Sequence, residues 1–542
     1  MGTVRRIVLW LAALAAVAPV AAQGDDPAKQ LQKLIQAFRR IEGLYVDEVE
    51  TGPLVERAIE RMLEELDPHS AYIGAEEMRA VRESFAGSFS GIGIEFSVQR
   101  DTIAVVNTVS GGPAERAGVR AGDRIVRIDT LQAVGMTRAD VPRHLRGRKG
   151  TEVAIDVVRR GVPEPLHFRL VRDRIPLTSV DAAYKVTDGV GYIRVDRFGR
   201  TTVEEFRKAF ERLGRPEALI LDLRGNGGGL LDAAIGMAGF FLPRGARIVS
   251  TEGRAVPDAS FEAPTDGEGL RVRLAVLVDE ASASASEIVA GAVQDWDRGV
   301  IVGRRTFGKG LVQREMGLGD GSAMRITVAR YHTPLGRVIQ RPYEEGDRRA
   351  YYLDHLHRDD AAADSLDAAA PAYRTLRTGR TVYGGGGIRP DVTVPSDTTG
   401  YTDYHAALIR CGAFAEFVAE YLDRERTRLE ALYPAFEAFD EGFSVSDATL
   451  GKLYACGTAR GEAFDALQAE RAKPLMRLQF KALVAQRLYG TGAFYRVMNA
   501  GRDGAFRRAV ELLAEWDRLG APLLCPATDA AGRAERCGGP CR

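Results

Sequence analysis

No cysteine occurs in the first 410 of the 542 residues, which excludes a thiol nucleophile from that stretch. The five that exist stand late, at Cys411, Cys456, Cys525, Cys537 and Cys541. No histidine follows Cys456, so a metal site built on the last three would lack an imidazole ligand, and partial disulfide pairing fits better. There is no excess of charge: 74 Lys and Arg face 74 Asp and Glu. That removes the electrostatic case for nucleic acid. Neither an H-E-x-x-H zinc motif nor a G-x-S-x-G nucleophile elbow is present.

What is present is ordinary globular composition, 45% hydrophobic and 27% charged, in a length that suggests roughly three or four domains. The opening "MGTVRRIVLWLAALAAVAPVAAQGDD" has Arg5 and Arg6, an apolar run over 7–17, and Val20 and Ala22 placed for cleavage. This predicts a secretory signal over 1–22 and a periplasmic, envelope or secreted location. A retained anchor is the alternative, against which the run is short and broken by Pro19. Residue 23 is Gln, not a lipid-accepting Cys.

Helical spacing follows over 23–85, with Leu31, Leu34, Ile35, Phe38 and Ile41, then Leu54, Ala58, Met62 and Leu66. "LDPHSAY" at 66–72 reads as a stop and turn in which His69 is structural rather than catalytic. Short strands, a short helix and a second helix then fill 86–173, in an order that resembles a PDZ domain. Such domains add a peptide as an extra strand and receive its terminal carboxylate on a glycine-containing loop. Gly91, Ile92, Gly93 and Ile94 occupy that loop. The helix around 141–145 should close the groove, where Arg143 and Arg146 either hold the carboxylate or are simply solvated.

From 174 to 400 apolar strands alternate with helices, implying a sheet covered on its faces. The charged, alanine-rich stretch 343–387 reads as an excursion within this domain, because "GGGGIRPDVTVP" returns to a strand. Residues 401–542 are helical by period and carry no motif with assignable chemistry.

In "DEASASASEIVAGAVQD" three serines, Ser282, Ser284 and Ser286, precede a helix at a strand's carboxyl end, where open α/β sheets place ligands. They either cap that helix or supply a nucleophile beside free amides. In "VGRRTFGKGLVQ" Gly303 and Gly308-Lys309 fit most of a phosphate loop, but Gly310 replaces the hydroxyl residue that ligates magnesium. Lys309 instead lies 25 residues beyond Ser284 (309 − 284), at the end of the next strand. Adjacent parallel strands would bring the two loops together. A lysine base must be neutral, which requires burial and a nearby positive end. No acid lies within five residues of it. Gln313 could orient its amine. Asp295, three helical turns after Ser284, either supports the site or serves as a cap or ion pair. Arg224 either contacts substrate or pairs with an acid.

"LDPHSAY", "DLRGNGGG", "SASASE", "TFGKGLVQ" and "GGGGIRPDVTVP", with a PDZ-like module among them, resemble the carboxyl-terminal processing peptidases of the tail-specific protease family (S41 serine peptidases). The resemblance spans about 30–396. It implies an α/β protease core (ClpP/crotonase-like) with an inserted, mainly β PDZ domain, an N-terminal helical segment and a C-terminal helical region. It further implies a serine endopeptidase with Ser284 as nucleophile, Lys309 as base and Gln313 in support. The oxyanion hole would use the Ala285 amide and one glycine among Gly227, Gly228 and Gly229. No cofactor or metal is implied. The partners implied are proteins or peptides held by their carboxyl termini, with a homodimer and an adaptor protein compatible with it. The competing class is a non-catalytic binding protein on the same sheet, as in the interphotoreceptor retinoid-binding protein.

Overall fold

The strand Arg273–Val278 is buried at all but its first residue, and a strand of that kind needs cover on both faces. The computed structural model describes residues 26–99, 101–343, 347–354 and 370–524. The leader pattern, His355, His357, Cys525, Cys537 and Cys541 lie outside them. Arg273–Val278 sits inside a sheet ordered Val180–Lys185, Val190–Val195, Ala218–Asp222, Arg273–Val278, Val300–Gly303 and Val392–Thr393. The first pair is antiparallel and the rest are parallel.

Side chains on this sheet alternate between two cores, as the period of two demands. Leu219, Leu221, Leu274, Val276, Val278 and Ile301 point into one, under helices Thr202–Arg212, Leu231–Gly239 and Ala285–Asp295. Ile220, Ala275, Leu277, Val300 and Val302 point into the other, where Phe506, Ala509, Leu512 and Leu513 of helix Gly504–Ala514 cover them. The helical C-terminal region is therefore part of the protease core's packing. Its remaining helices, among them Ala413–Leu432 and Ala466–Tyr489, build a core of their own. Cys411 and Cys456 are half-buried at the margin of that core.

A second sheet runs Ala71–Ile73, Ala323–His332, Arg247–Glu252 and Ala259–Glu262, with Leu311–Gly317 also paired to Ala323–His332. The stretch 343–387 contains helix Arg348–Asp354 and the hairpin Ala372–Arg374 with Thr381–Tyr383, and Val392–Thr393 then rejoins the main sheet.

The PDZ module orders its strands Ile94–Gln99, Thr102–Thr108, Arg124–Ile128, Glu152–Val158 and Leu166–Val171. Alternate residues Val153, Ile155 and Val157 of one strand are buried in its core with Ile103, Ile125 and Val141. Helix Asp140–Leu145 packs Val141 and Leu145 into the same core.

The expected helical segment 23–85 divides. Helices Pro27–Leu44 and Thr51–Glu64 lie in a unit that ends at Leu66. The rest of the chain forms a second compact unit. Within that second unit "LDPHSAY" supplies the strand Ala71–Ile73, which pairs with residues 323–325, and helix Ala75–Ala86 follows.

Candidate active site

Three serines enter the helix Ala285–Asp295, and the structure gives them different work. Ser282 Oγ donates to the Leu223 carbonyl (2.9 Å) and Ser286 Oγ to the Asn226 carbonyl (2.9 Å), both in buried positions. These two bonds pin the helix entry to the turn 223–229. Ser284 instead has φ 56° and ψ −111°, a conformation that costs a non-glycine residue energy and that clusters at functional sites. It faces a cavity of about 780 Å³ also lined by Gly227, Gly228, Gly229, Ala285, Lys309, Gln313 and Tyr331.

Lys309 reaches that cavity from the neighbouring parallel strand Val300–Gly303, as the 25-residue step predicts. Both loops are tied to one side chain, Glu287, which is fully buried. Its Oε2 accepts from the amides of Ser284 (2.8 Å) and Lys309 (2.9 Å), and its Oε1 from Thr306 Oγ1 (2.6 Å) and the Gly308 amide (2.8 Å). On the carbonyl side, Tyr331 Oη lies 2.6 Å from the Lys309 oxygen and 3.1 Å from the Ser284 oxygen. Its single proton goes to the nearer one. Burial pushes the Glu287 carboxyl up to about 7 against the pull of its four donors. Burial, reinforced by Arg325, brings the Lys309 amine down to about 8.

The sequence reading missed this pair of anchors. Glu287 stands three residues after Ser284, a visible S-x-x-E capping signature. Tyr331 lies in the second sheet and had no motif to announce it.

The glycine turn fits closely against Ser284. A Cβ on Gly228, whose φ is 100°, would stand 2.8 Å from both Ser284 Cβ and the Ala283 oxygen. The Gly228 amide already donates to Asn226 Oδ1 (2.8 Å), and Asn226 Nδ2 donates to the Val195 oxygen (2.9 Å). The Ala285 amide, at the first helical position, has no intrahelical acceptor. Gln313 lines the cavity just after a bulge in its strand, with its amide nitrogen buried and without a partner among the described residues.

Other candidates fall away from the chemistry. Asp295 is buried in an ion pair with Arg337 (2.5 Å) and accepts from the Leu335 amide (2.9 Å), so it is the structural residue of its two readings. Arg224 holds Asp222 (2.6 Å) and Asp503 (2.6 Å), the acid-paired alternative. His69 is buried between Tyr351 Oη (3.0 Å) and Tyr352 Oη (3.1 Å), and burial, then Lys309, lowers it to about 3. It stays neutral as a structural residue.

In the PDZ module the carbonyls of Ile92 and Gly93 accept from Ala114 and Val109 (2.9 Å each). The amides of Ile92 and Gly93 donate to nothing among the described residues. Ile94 opens the strand beside them, and Gly91 closes the one before. Arg143 and Arg146 remain partly exposed, and each carries an acidic partner. Arg143 pairs with Glu76 (2.8 Å) and Asp140 (3.3 Å). Arg146 pairs with Glu83 (2.6 Å) and stacks over Phe89.

Comparisons with known proteins agree with this anatomy. Residues 189–347 match peptidase family S41, 90–169 a PDZ domain and 12–77 the N-terminal domain of the activating protease CtpB. Residues 404–490 match a family of unknown function (DUF8443). The photosystem II D1 C-terminal processing protease is 32% identical over 56% of this chain and 89% of its own, with a TM-score of 0.33. The carboxy-terminal processing protease CtpB of Bacillus subtilis is 34% identical over 60% of this chain and 69% of its own. The carboxy-terminal-processing protease of Bartonella bacilliformis is 40% identical over 58% of this chain and 73% of its own. At that identity and coverage, the chain belongs to the carboxy-terminal processing proteases.

Proposed function

We propose that the chain is an exported serine endopeptidase that takes a protein's carboxyl terminus on its PDZ domain and cuts upstream with a Ser284–Lys309 dyad. The observation that carries this is the single carboxylate of Glu287 fixing the amides of both residues at the edge of one cavity. Neutral Lys309 takes the Ser284 hydroxyl proton as Oγ attacks the peptide carbonyl, then gives it to the departing amine. Water repeats the sequence on the acyl-enzyme. The Ala285 amide and a donor from the turn 227–229 stabilise the oxyanion, and Gln313 orients the amine. Because the Gly228 amide is already committed to Asn226, the second donor is one of its two neighbours. The free amides of Ile92 and Gly93 suit a terminal carboxylate.

The test is cleavage of an unfolded substrate with a free or an amidated carboxyl terminus. Ser284→Ala and Lys309→Arg should each lose activity about 10⁴-fold or more, because arginine cannot be deprotonated. Amidation should slow the wild type. Appreciable cleavage by Lys309→Arg would overturn the dyad. Equal rates for acid and amide would overturn terminal recognition alone.

A further inference from the structure

The wall of the catalytic cavity is cationic in a chain that is neutral overall, with 74 residues of each sign. Four arginines line it, Arg82, Arg200, Arg314 and Arg325, against one acid, Glu315. Glu315 is taken by Arg325 at 3.0 Å. The other three make no ion pair and no side-chain hydrogen bond among the described residues.

Neighbouring loops show that acids were available to arginines nearby. Arg197, three residues before Arg200, holds Asp196 (2.7 Å), and Arg224 beside the glycine turn holds two acids. The unpaired three come from separate elements. Arg82 shares one face of helix Ala75–Ala86 with Phe85 and Ala86, at spacings of three and four, and that face lines the cavity. Arg200 precedes helix Thr202–Arg212. Arg314 follows Gln313 in Leu311–Gly317, which among the described residues pairs only with Ala323–His332. Five consecutive residues of that strand, 311–315, line the cavity. Side chains alternate across a strand, so the cavity runs along its open edge, where an extended substrate would lie. Lys309 adds no charge when it acts as a base. Three like charges around a partly enclosed cleft focus a positive field and repel each other until an anion arrives.

We propose that the cleft selects substrate segments carrying acidic side chains beside the scissile bond, with Arg82, Arg200 and Arg314 as the binding residues. This rests on the endopeptidase reading above and names its substrate class.

Two unstructured peptides with the same free carboxyl terminus test it, one with two Asp flanking the cleaved bond and one with Asn in their place. The wild type should cleave the Asp peptide with kcat/KM about five- to tenfold higher at low salt, with the advantage shrinking in ~0.5 M salt. The triple Arg82→Gln, Arg200→Gln, Arg314→Gln variant should bring the ratio near one. Arg314→Glu alone should shift preference toward a Lys-bearing peptide, which keeps the test open should the triple variant fold poorly. Equal wild-type rates at low salt, or a preference that survives the triple variant, would overturn the cationic cleft and leave the peptidase intact. If the wild type cuts neither peptide, the peptidase reading falls. Binding of the two peptides to Ser284→Ala then decides the cleft, with equal affinities overturning it.

Discussion

Glu287 does at the residue scale what a motif cannot express: it joins two loops through their backbones. The local pattern left three serines open between capping and catalysis, and only the family resemblance singled out Ser284. Lys309 was legible because parallel neighbours place consecutive strand ends together. The anchors were not, because the other donors to Glu287 come from 306–309 in the loop after a later strand, and Tyr331 from another sheet. The proposed dyad turns on the lysine proton. Lys309 is brought from 10.5 to about 8, so at pH 7 roughly one amine in ten is neutral, against ~0.03% for an unshifted lysine. In the proposed dyad neutral lysine is the active form, so activity should rise with pH through a midpoint of about 8. Glu287, at about 7, ionises before that limb is complete. Arg325 is the second cause that keeps the amine neutral. Arg325→Gln should therefore move the midpoint upward and lower the rate at pH 7, with less effect on the high-pH plateau. A kcat/KM profile from pH 6 to 10 reads both. A midpoint unmoved by the substitution would remove Arg325 from the tuning of the base.

At the element scale, the helix Gly504–Ala514 reaches the turn 223–229 through its own cap. Asp503 caps it, Oδ1 accepting from the Phe506 amide (2.9 Å), while Oδ2 takes Arg224 Nη1 (2.6 Å). Arg224 opens the turn whose glycines pack on Ser284. The sequence left Arg224 divided between substrate and an acid because its second partner lies 279 residues away, beyond any local pattern. Asp503→Asn separates the two roles. Asparagine caps a helix about as well as aspartate, so the helix should persist, while the charge holding Arg224 is lost. We expect stability to fall by no more than about 1–2 kcal/mol, since Asp222 still pairs with Arg224. The turn's placement matters most when the oxyanion forms, so kcat should fall by about tenfold with KM little changed. A variant with unchanged kcat would confine the Arg224–Asp503 bond to stability.

Across the whole molecule, the sheet's second face is closed by residues that carried no recognisable signal. Continuous apolar strands announce that both faces need cover, and helices between the strands account for one. The other cover comes from a stripe, Ala505, Phe506, Ala509, Leu512 and Leu513, that reads as any amphipathic helix; only the fold shows what it meets. Phe506 is buried there, its ring edge-on to Tyr192 at 5.7 Å between centroids. Tyr192 in turn donates to Asp222 (2.6 Å), at the end of the strand that leads into the glycine turn. If the C-terminal helices are part of one core with the protease sheet, they cannot melt separately from it. Phe506→Ala should then cost about 3–5 kcal/mol, and loss of peptidase activity and loss of helix signal in urea should share one midpoint, shifted together. Phe464→Ala, at a position 53% exposed in the same region, should shift neither by more than about 0.5 kcal/mol. Two separate transitions, with activity outlasting the helices, would show that the C-terminal region is an appendage and that the sheet's second face tolerates exposure.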